Sequence, residues 1–317
     1  MPLIIITIVL AAFGYTAYWH YAARVLNTEI SAFLAEARQF EVARHSLGGF
    51  PYRFDLDLSA PSATSASGAV TWQAQQLHLH ALAYRPQHVI AVFPQEQIVT
   101  LGGVPWHLSS TDARASIIAK ASMPAQIERA NLVFEALEFT DGAALHSADS
   151  FRAALRQQED APHQIAAELH GLRPDPALRA MLDPNSALPP ILTRLALRGT
   201  FDLDATASGS PDAAMNGLEI TDLVVEWGEI TLEASGRLRR DDLGRVSGEM
   251  VLETHQMPLI LDAVEQAQLL PPDQTQMARM LVASMRDQDS GNLTLPLQIR
   301  DSVVFAGPVA LGALPAF

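Results

Sequence analysis

Apolar and polar residues alternate with a period of two along much of this chain, and that period limits what it can fold into. In Tyr52–Ser59, YRFDLDLS, residues Tyr52, Phe54, Leu56 and Leu58 fall on one side and Arg53, Asp55 and Asp57 on the other. Successive side chains of a strand point to opposite faces, so such a segment builds a sheet with one apolar and one polar face. The pattern returns at Leu195–Ala205, where Leu195, Leu197, Phe201 and Leu203 oppose Arg198, Thr200, Asp202 and Asp204. It returns again at Gly228–Arg240, where Ile230, Leu232, Ala234 and Leu238 oppose Glu229, Thr231, Glu233, Ser235 and Arg237. Sheets with one wet face are antiparallel far more often than parallel. Further strands are expected in Ala69–Tyr84, His88–Phe93, Gly102–Leu108, Ala113–Ala119 and Asn131–Phe139, with Ser150–Arg156 a strand or a short helix. Turns are expected at Arg85-Pro86-Gln87 and at Asp241–Gly244.

Few helices are available to cover the apolar face that these strands create. They are Arg24–Arg44, a stretch inside Asp175–Asp183, and a helical pair at Pro258–Asp287 broken at Leu270-Pro271-Pro272. An apolar face must be buried against something. Either the sheet closes on itself, as a sandwich or barrel, or it curls into a trough whose apolar floor meets a ligand. The expected fold class is α+β: an N-terminal transmembrane helix, then a mostly antiparallel, amphipathic β-sheet body (curled sheet, sandwich or open barrel) with a few covering helices.

The N-terminus carries the second strong signal. Leu3–Trp19, LIIITIVLAAFGYTAYW, holds no charge, and as a helix it would be about 26 Å long, near the short limit for crossing a bilayer. Tyr15, Tyr18, Trp19 and Tyr21 crowd its far end, as an interfacial aromatic belt would. No small-x-small cleavage pattern follows the run, which favours an uncleaved anchor over a signal peptide. Arg24 and Arg38 lie beyond the helix and, taken alone, place the body in the cytoplasm by the positive-inside rule. GGFP at Gly48–Pro51 stops the juxtamembrane helix. The segments are then 1–22 transmembrane anchor, 23–47 juxtamembrane helix, 48–158 first β-rich half, 159–191 proline-rich connection, and 192–317 second β-rich half with the helical pair at 258–287.

Composition excludes several function classes. The formal charge is −14, so the surface field repels phosphate backbones and no nucleic-acid partner is expected. There is no cysteine, which removes disulfides, thiolate metal sites and a thiol nucleophile. His78 and His80 project from one strand face, with His88 across the expected hairpin. Two such imidazoles can share a metal that finds further ligands. A solvated sheet face explains them equally, because Leu77, Leu79, Ala81 and Ala83 supply the apolar alternation, and that reading is preferred. Ser109, Ser147, Ser208 and Ser235 lie in no Gly-x-Ser-x-Gly context, and SASGA and ASGSP lack the lysine of a phosphate loop. The carboxylates Glu226 and Glu229, and Asp202 and Asp204, sit on polar faces, where nothing raises a pKa for acid–base work. Met277, Met280, Leu281 and Met285 recur at helical spacing and read as cover over the sheet. No catalytic, cofactor-binding or metal residue is assigned, and the chain reads as a non-enzyme without cofactor.

Several stretches also resemble a known family. They are FGYTAYWHYAAR (Phe13–Arg24), GGFPYRFDLDL (Gly48–Leu58), LAYRPQHVIAVFPQEQ (Leu82–Gln97), ARAS (Ala113–Ser116), LRGTFDLDA (Leu197–Ala205), WGEITLEASGRL (Trp227–Leu238) and GNLTLPL (Gly291–Leu297). With these the chain resembles the bacterial family labelled domain of unknown function 2125, found mainly in alphaproteobacteria. GFPYRFD and YRPQHVIAVFP are the specific stretches. The resemblance implies a membrane-anchored envelope protein with its N-terminus inside, hence a single-pass inner-membrane protein with a periplasmic body. It implies no catalytic residues. Function within that frame divides into two readings. One is a module that binds lipid or another apolar envelope molecule. The other is a structural or assembly protein that meets an envelope protein partner through its acidic surface.

Overall fold

In the computed structural model, residues 2–37, 39–65, 68–120, 127–158, 161–186, 188–203, 215–241, 245–266, 271–285 and 292–313 are described. An N-terminal helix leads into an antiparallel β body with three further helices among the described residues. The chain divides into two compact units, Met1–Ala130 and Asn131–Phe317.

The first unit opens with α1 (Pro2–Glu36), a single helix that ends eight residues before Arg44. Residues expected to extend it form β1 (Phe40–Glu41) and β2 (Arg44–Gly48) instead. Tertiary pairing overrides the helical spacing there, since β2 lies against β3 (Arg53–Ser59) with Leu47 opposite Leu56. The following strands come in joined pairs: β3 with β4 (Ser62–Thr64), β5 (Val70–Ala74) with β6 (Gln76–Leu82), β7 (Arg85–Val92) with β8 (Glu96–Leu101), and β9 (Val104–Ser109) with β10 (Asp112–Ala119). Each pair is one long strand with an interruption. Pairing runs β2–β3–β6–β7–β10 on one side of the interruptions and β1–β4–β5–β8–β9 on the other. Backbone bonds carry the ladder through, from Ala43 N to Ser59 O, Ala60 N to Gln75 O, and Ser110 N to Gln95 O. Ala60, with φ of 47°, supplies the extra residue that bends the first of these strands.

The apolar faces on the two sides of this crease meet. Leu58, Leu77 and Ala91 are buried and pack against Phe40, Val42, Trp72 and Phe93, with the Trp72 and Phe93 rings 5.7 Å apart and edge to face. Helix α1 seals the open end. Trp19 is 5% exposed, stacks on Phe54 at 5.5 Å, meets Phe50 at 5.3 Å, and donates its indole N–H to Arg53 O at 3.2 Å. Trp19 is therefore a packing residue of the body and not a member of a lipid-facing belt. Tyr18 and Tyr21, on other faces of the helix, stay exposed. The stretch Gly49–Phe54 that receives Trp19 depends on Gly49. Its φ is +98°, and a Cβ there would lie 2.7 Å from Arg53 O.

The hairpin of β6 and β7 turns at Ala83-Tyr84, with Leu82 opposite Arg85, so Arg85-Pro86-Gln87 is strand and not turn. The register shifts between Ala81 and Leu82, and this irregularity sits beside Pro86, which has no N–H to give to a ladder.

Strand β11 (Ile127–Thr140) carries the chain across the boundary between the units. The second unit continues with β12 (Leu145–Gln158), β13 (Ala161–Leu172), α2 (Pro176–Leu182), β14 (Leu192–Leu203), β15 (Met215–Trp227), β16 (Ile230–Arg240), β17 (Val246–Thr254), α3 (Met257–Gln266), α4 (Pro272–Met285), β18 (Leu293–Arg300), β19 (Val303–Ala306) and β20 (Val309–Ala313). From β12 to β20 each strand pairs antiparallel with the next. Ser150–Arg156 is strand, and the proline-rich stretch contributes β13 before α2. Helix α2 starts where Asp175 caps it, accepting from Ala177 N at 2.8 Å, with Pro176 in the first turn. The helical pair forms as its pattern predicts. The expected turn at Asp241–Gly244 falls largely outside the described residues, as does Leu270.

Candidate functional site

The register of the second unit lines up its apolar residues in rows that cross the strands. One row runs Ala153, Ala167, Leu197, Leu223, Ala234, Leu252 and Leu295. The next runs Phe151, Leu169, Leu195, Val225 and Leu232. A third runs Leu155, Ile165, Gly199, Ile220, Gly236, Met250 and Leu297. Bulges in the β14–β15 and β15–β16 ladders keep Leu223 and Ile220 on the same face although they are three apart in sequence. The result is one apolar face continuous over seven strands.

Helices α3 and α4 cover only its C-terminal end. Met257, Leu261, Ala278 and Val282 pack on Leu293, Leu295 and Ala306, with Leu252 and Leu297 at the margin. Arg279 of α4 joins the two helices by ion pairs to Asp262 at 2.6 Å and Glu265 at 2.5 Å of α3. Among the described residues of this unit, the cluster under α3 and α4 includes no residue of β12–β16, although Ile220 and Ala234 on that face are buried. Leu195 there is 36% exposed, and Phe151, Leu155, Ile165, Leu197, Leu223 and Val225 are half-buried. Met277 and Met280, two of the residues predicted to cover the sheet, do not do so. They point outward, and the inward stripe of α4 is Thr275, Ala278 and Val282. The inward positions carry small and β-branched residues, whereas these two longer methionines take the solvent side. Leu281 and Met285 lie outside the described side chains.

The opposite face is polar and knitted by charge. Arg194 sits between Glu168 at 2.6 Å and Glu226 at 3.2 Å, each on a neighbouring strand. The Arg194 hydrogen bond holds the Glu168 carboxyl below the usual carboxylate range, and Glu168 in turn raises the guanidinium. Arg198 reaches Asp222 at 3.5 Å, and Arg237 reaches Glu219 at 2.9 Å. Glu226 is thus committed to a cation and is not paired with Glu229. The Asp202 and Asp204 side chains lie outside the described residues. Two open depressions mark this unit, one of about 570 Å³ around α2 and one of about 310 Å³ across β11–β14. Of their arginines, Arg173 pairs with Asp149 at 2.7 Å and Arg152 with Glu135 at 3.4 Å, while Arg179 donates to Leu188 O at 3.3 Å and keeps a buried Nε with no hydrogen-bond partner among the described residues.

The histidines singled out by sequence lie in the first unit, on the polar face. His78 bonds Asp57 at 2.6 Å and His80 bonds Asp55 at 2.7 Å, each across the β3–β6 ladder from its partner. The two imidazoles stack in parallel, 6.5 Å apart. His88 turns to Ser116 at 2.9 Å. Among the described residues no group of three or more His, Asp or Glu side chains is placed to hold a metal ion. The Asp partners were legible only as polar positions of YRFDLDLS; the register that brings them to the histidines is a tertiary fact.

Fold and site together define an N-terminal apolar helix docked on an antiparallel meander whose second half carries a large, partly uncovered apolar face. Among the described residues one helix, Ile4–Glu36, has the length and composition to cross a membrane. The family described as "Uncharacterized protein conserved in bacteria (DUF2125)" matches residues 19–315, and the chain belongs to it. The matched region begins at Trp19, the residue through which α1 docks. No curated protein and no solved structure matches the chain.

Proposed function

We propose that this protein is a single-pass envelope protein whose second unit holds an apolar chain, such as a lipid acyl chain, against the face of β12–β16. The carrying observation is the continuity of the apolar rows. Leu295 and Leu252 lie under or beside the helical pair, and the same row runs on through Leu223 and Leu197, outside the cluster under that pair. A contiguous apolar surface left partly uncovered is the kind of surface that marks an interaction site in soluble bodies. A face of leucine, valine and alanine, with its charges confined to the far side, suits hydrocarbon and offers little to a polar ligand. The apolar helix α1 would keep the body at a membrane, the source of such chains, and in this reading the body lies in the periplasm. The reading invokes binding without catalysis.

The test uses a photoreactive phenylalanine analogue at Leu197 or Leu223 of the full chain in intact cells. Lipid adducts are expected at both positions and not at Glu219 of the polar face. The same probe at Leu10 of α1 serves as the lipid-exposed reference. Adducts at Leu10 without adducts at Leu197 and Leu223 would refute acyl-chain binding. A single recurrent protein adduct at those two positions would put a protein partner in place of lipid on this face.

A further inference from the structure

We infer that the end of the first unit from which α1 emerges is itself a membrane-docking surface, with the Phe50–Tyr52 and Ala83-Tyr84 turns immersed in the lipid headgroup layer. The inference rests on the reading of α1 as a membrane span and adds where the body meets the bilayer. Two backbone turns are fastened to the helix at a defined height. The Tyr15 hydroxyl donates to Pro51 O at 2.6 Å, and Ala83 N donates to Tyr52 O at 3.0 Å. These bonds hold both turns beside the helix turn of Tyr15.

The height of Tyr15 relative to the bilayer follows from the helix sequence. The first formal charge of α1 after this point is Arg24, nine residues on, about 14 Å along the axis. Exposed Tyr18 and Tyr21 fall between them. Aromatic residues with one wet end mark the interface, and the first charge lies at or beyond it. The interface therefore lies between Tyr15 and Arg24. A turn bonded to Tyr15 cannot stand clear of it.

The exposed side chains of these turns suit that depth. Tyr84 is 73% exposed, Tyr52 60%, Phe50 48% and Leu82 39%, an apolar and aromatic patch that the body leaves uncovered. Arg85 follows at once, exposed and within reach of phosphate. The opposite end of the same bent strands also exposes apolar side chains, but Val70, Leu101 and Val104 there are aliphatic and not aromatic. There the turns are Gly68-Ala69 and Gly102-Gly103, joined by a bond from Gly102 N to Ala69 O at 2.9 Å. Aromatic turns occupy the end near α1 and glycine turns the end away from it. An arrangement by depth accounts for that polarity, whereas an interface with a partner protein would not require the patch to coincide with the level of Tyr15.

The absence of cysteine makes a clean test available. Single cysteines replace Phe13, Tyr18, Tyr84 or Gly102 in the full chain, which is reconstituted in phosphatidylcholine vesicles and labelled with an environment-sensitive fluorophore. Lipids carrying a nitroxide near the headgroup then quench the label. Loss of fluorescence at Tyr84→Cys should match that at Tyr18→Cys, while Gly102→Cys should lose none. Quenching at Phe13→Cys and Tyr18→Cys with none at Tyr84→Cys overturns the docking surface and leaves the anchor standing. No quenching at Phe13→Cys, by nitroxides at any depth, overturns the anchor itself. Equal quenching at Tyr84→Cys and Gly102→Cys also overturns the inference, because it removes the polarity.

Discussion

The two units use one kind of strand to opposite ends. In the first, each long strand is interrupted near its middle, and the apolar faces on either side of the crease meet. Leu58 and Ala91 are each 3% exposed as a result. In the second, the strands of β12–β16 run through with only local bulges. Ile220 and Ala234 of the apolar rows they carry are buried, but Leu195, Leu197, Leu223 and Val225 stay partly exposed. Covering is supplied at one end by α3 and α4. An amphipathic strand therefore does not by itself produce a closed core. The interruption does, by letting one sheet face itself.

The first way to break this comparison is to remove the seal of the first unit. Phe54→Ala deletes the ring on which Trp19 stacks and should cost about 3–5 kcal/mol, read as loss of protease resistance in Arg53–Ala119. A change confined to α1 would show that the helix is dispensable to the crease. The second is a matched pair of truncations. Leu58→Ala should cost about 2–5 kcal/mol, because it leaves a cavity in a closed core. Leu197→Ala should cost about 1 kcal/mol, since a half-buried leucine gives up only part of its transfer energy. Equal costs, measured by pulse proteolysis with no added lipid, would mean that the second unit's face is as closed as the first's. Should acyl chains occupy that face, added phospholipid will widen the gap between Leu197→Ala and the parent, and will leave Leu58→Ala unchanged.

The smallest effect concerns the polar face. Glu168 titrates below its ordinary value of 4.5, chiefly through the Arg194 hydrogen bond. The stabilisation this gives is present above that ordinary value and is lost as pH falls through the lowered one. Arg194→Met should move the acid-unfolding midpoint of the second unit upward, with a loss near neutrality of roughly 1 kcal/mol or less, as for other partly exposed ion pairs. An unchanged midpoint would show that the charge ladder of this sheet is not coupled to its stability.

Much of the strand layout was legible because a period of two is a local property. YRFDLDLS and Ile230–Leu238 formed strands where the alternation put them. His78 and His80 took the polar face for the same reason. The errors came where a distant partner decided. Val25 to Ala37 had helical spacing, but the residues after Glu36 found β4 and β3 to pair with and became strand. Met277 and Met280 of α4 were apolar enough to cover a sheet, yet the helix turned Thr275, Ala278 and Val282 inward. Trp19 looked like part of an aromatic belt until Phe54 and the Arg53 carbonyl took it up. The turn beside Pro86 was displaced to Ala83-Tyr84 by the β6–β7 register, which no local preference specifies.

The sequence by itself determined the faces: which residues are apolar-side and which polar-side, that the sheet is antiparallel, and that one helix has the length and composition to cross a membrane. Only the tertiary structure decided what each face meets. Alternation assigns a side chain to one side of a strand within a few residues. The partner of that side comes from strands, creases and helices tens of residues away. In the first unit that partner is the chain itself. In the second, the described chain buries Ile220 and Ala234 but leaves Leu195, Leu197, Leu223 and Val225 of the same face partly exposed.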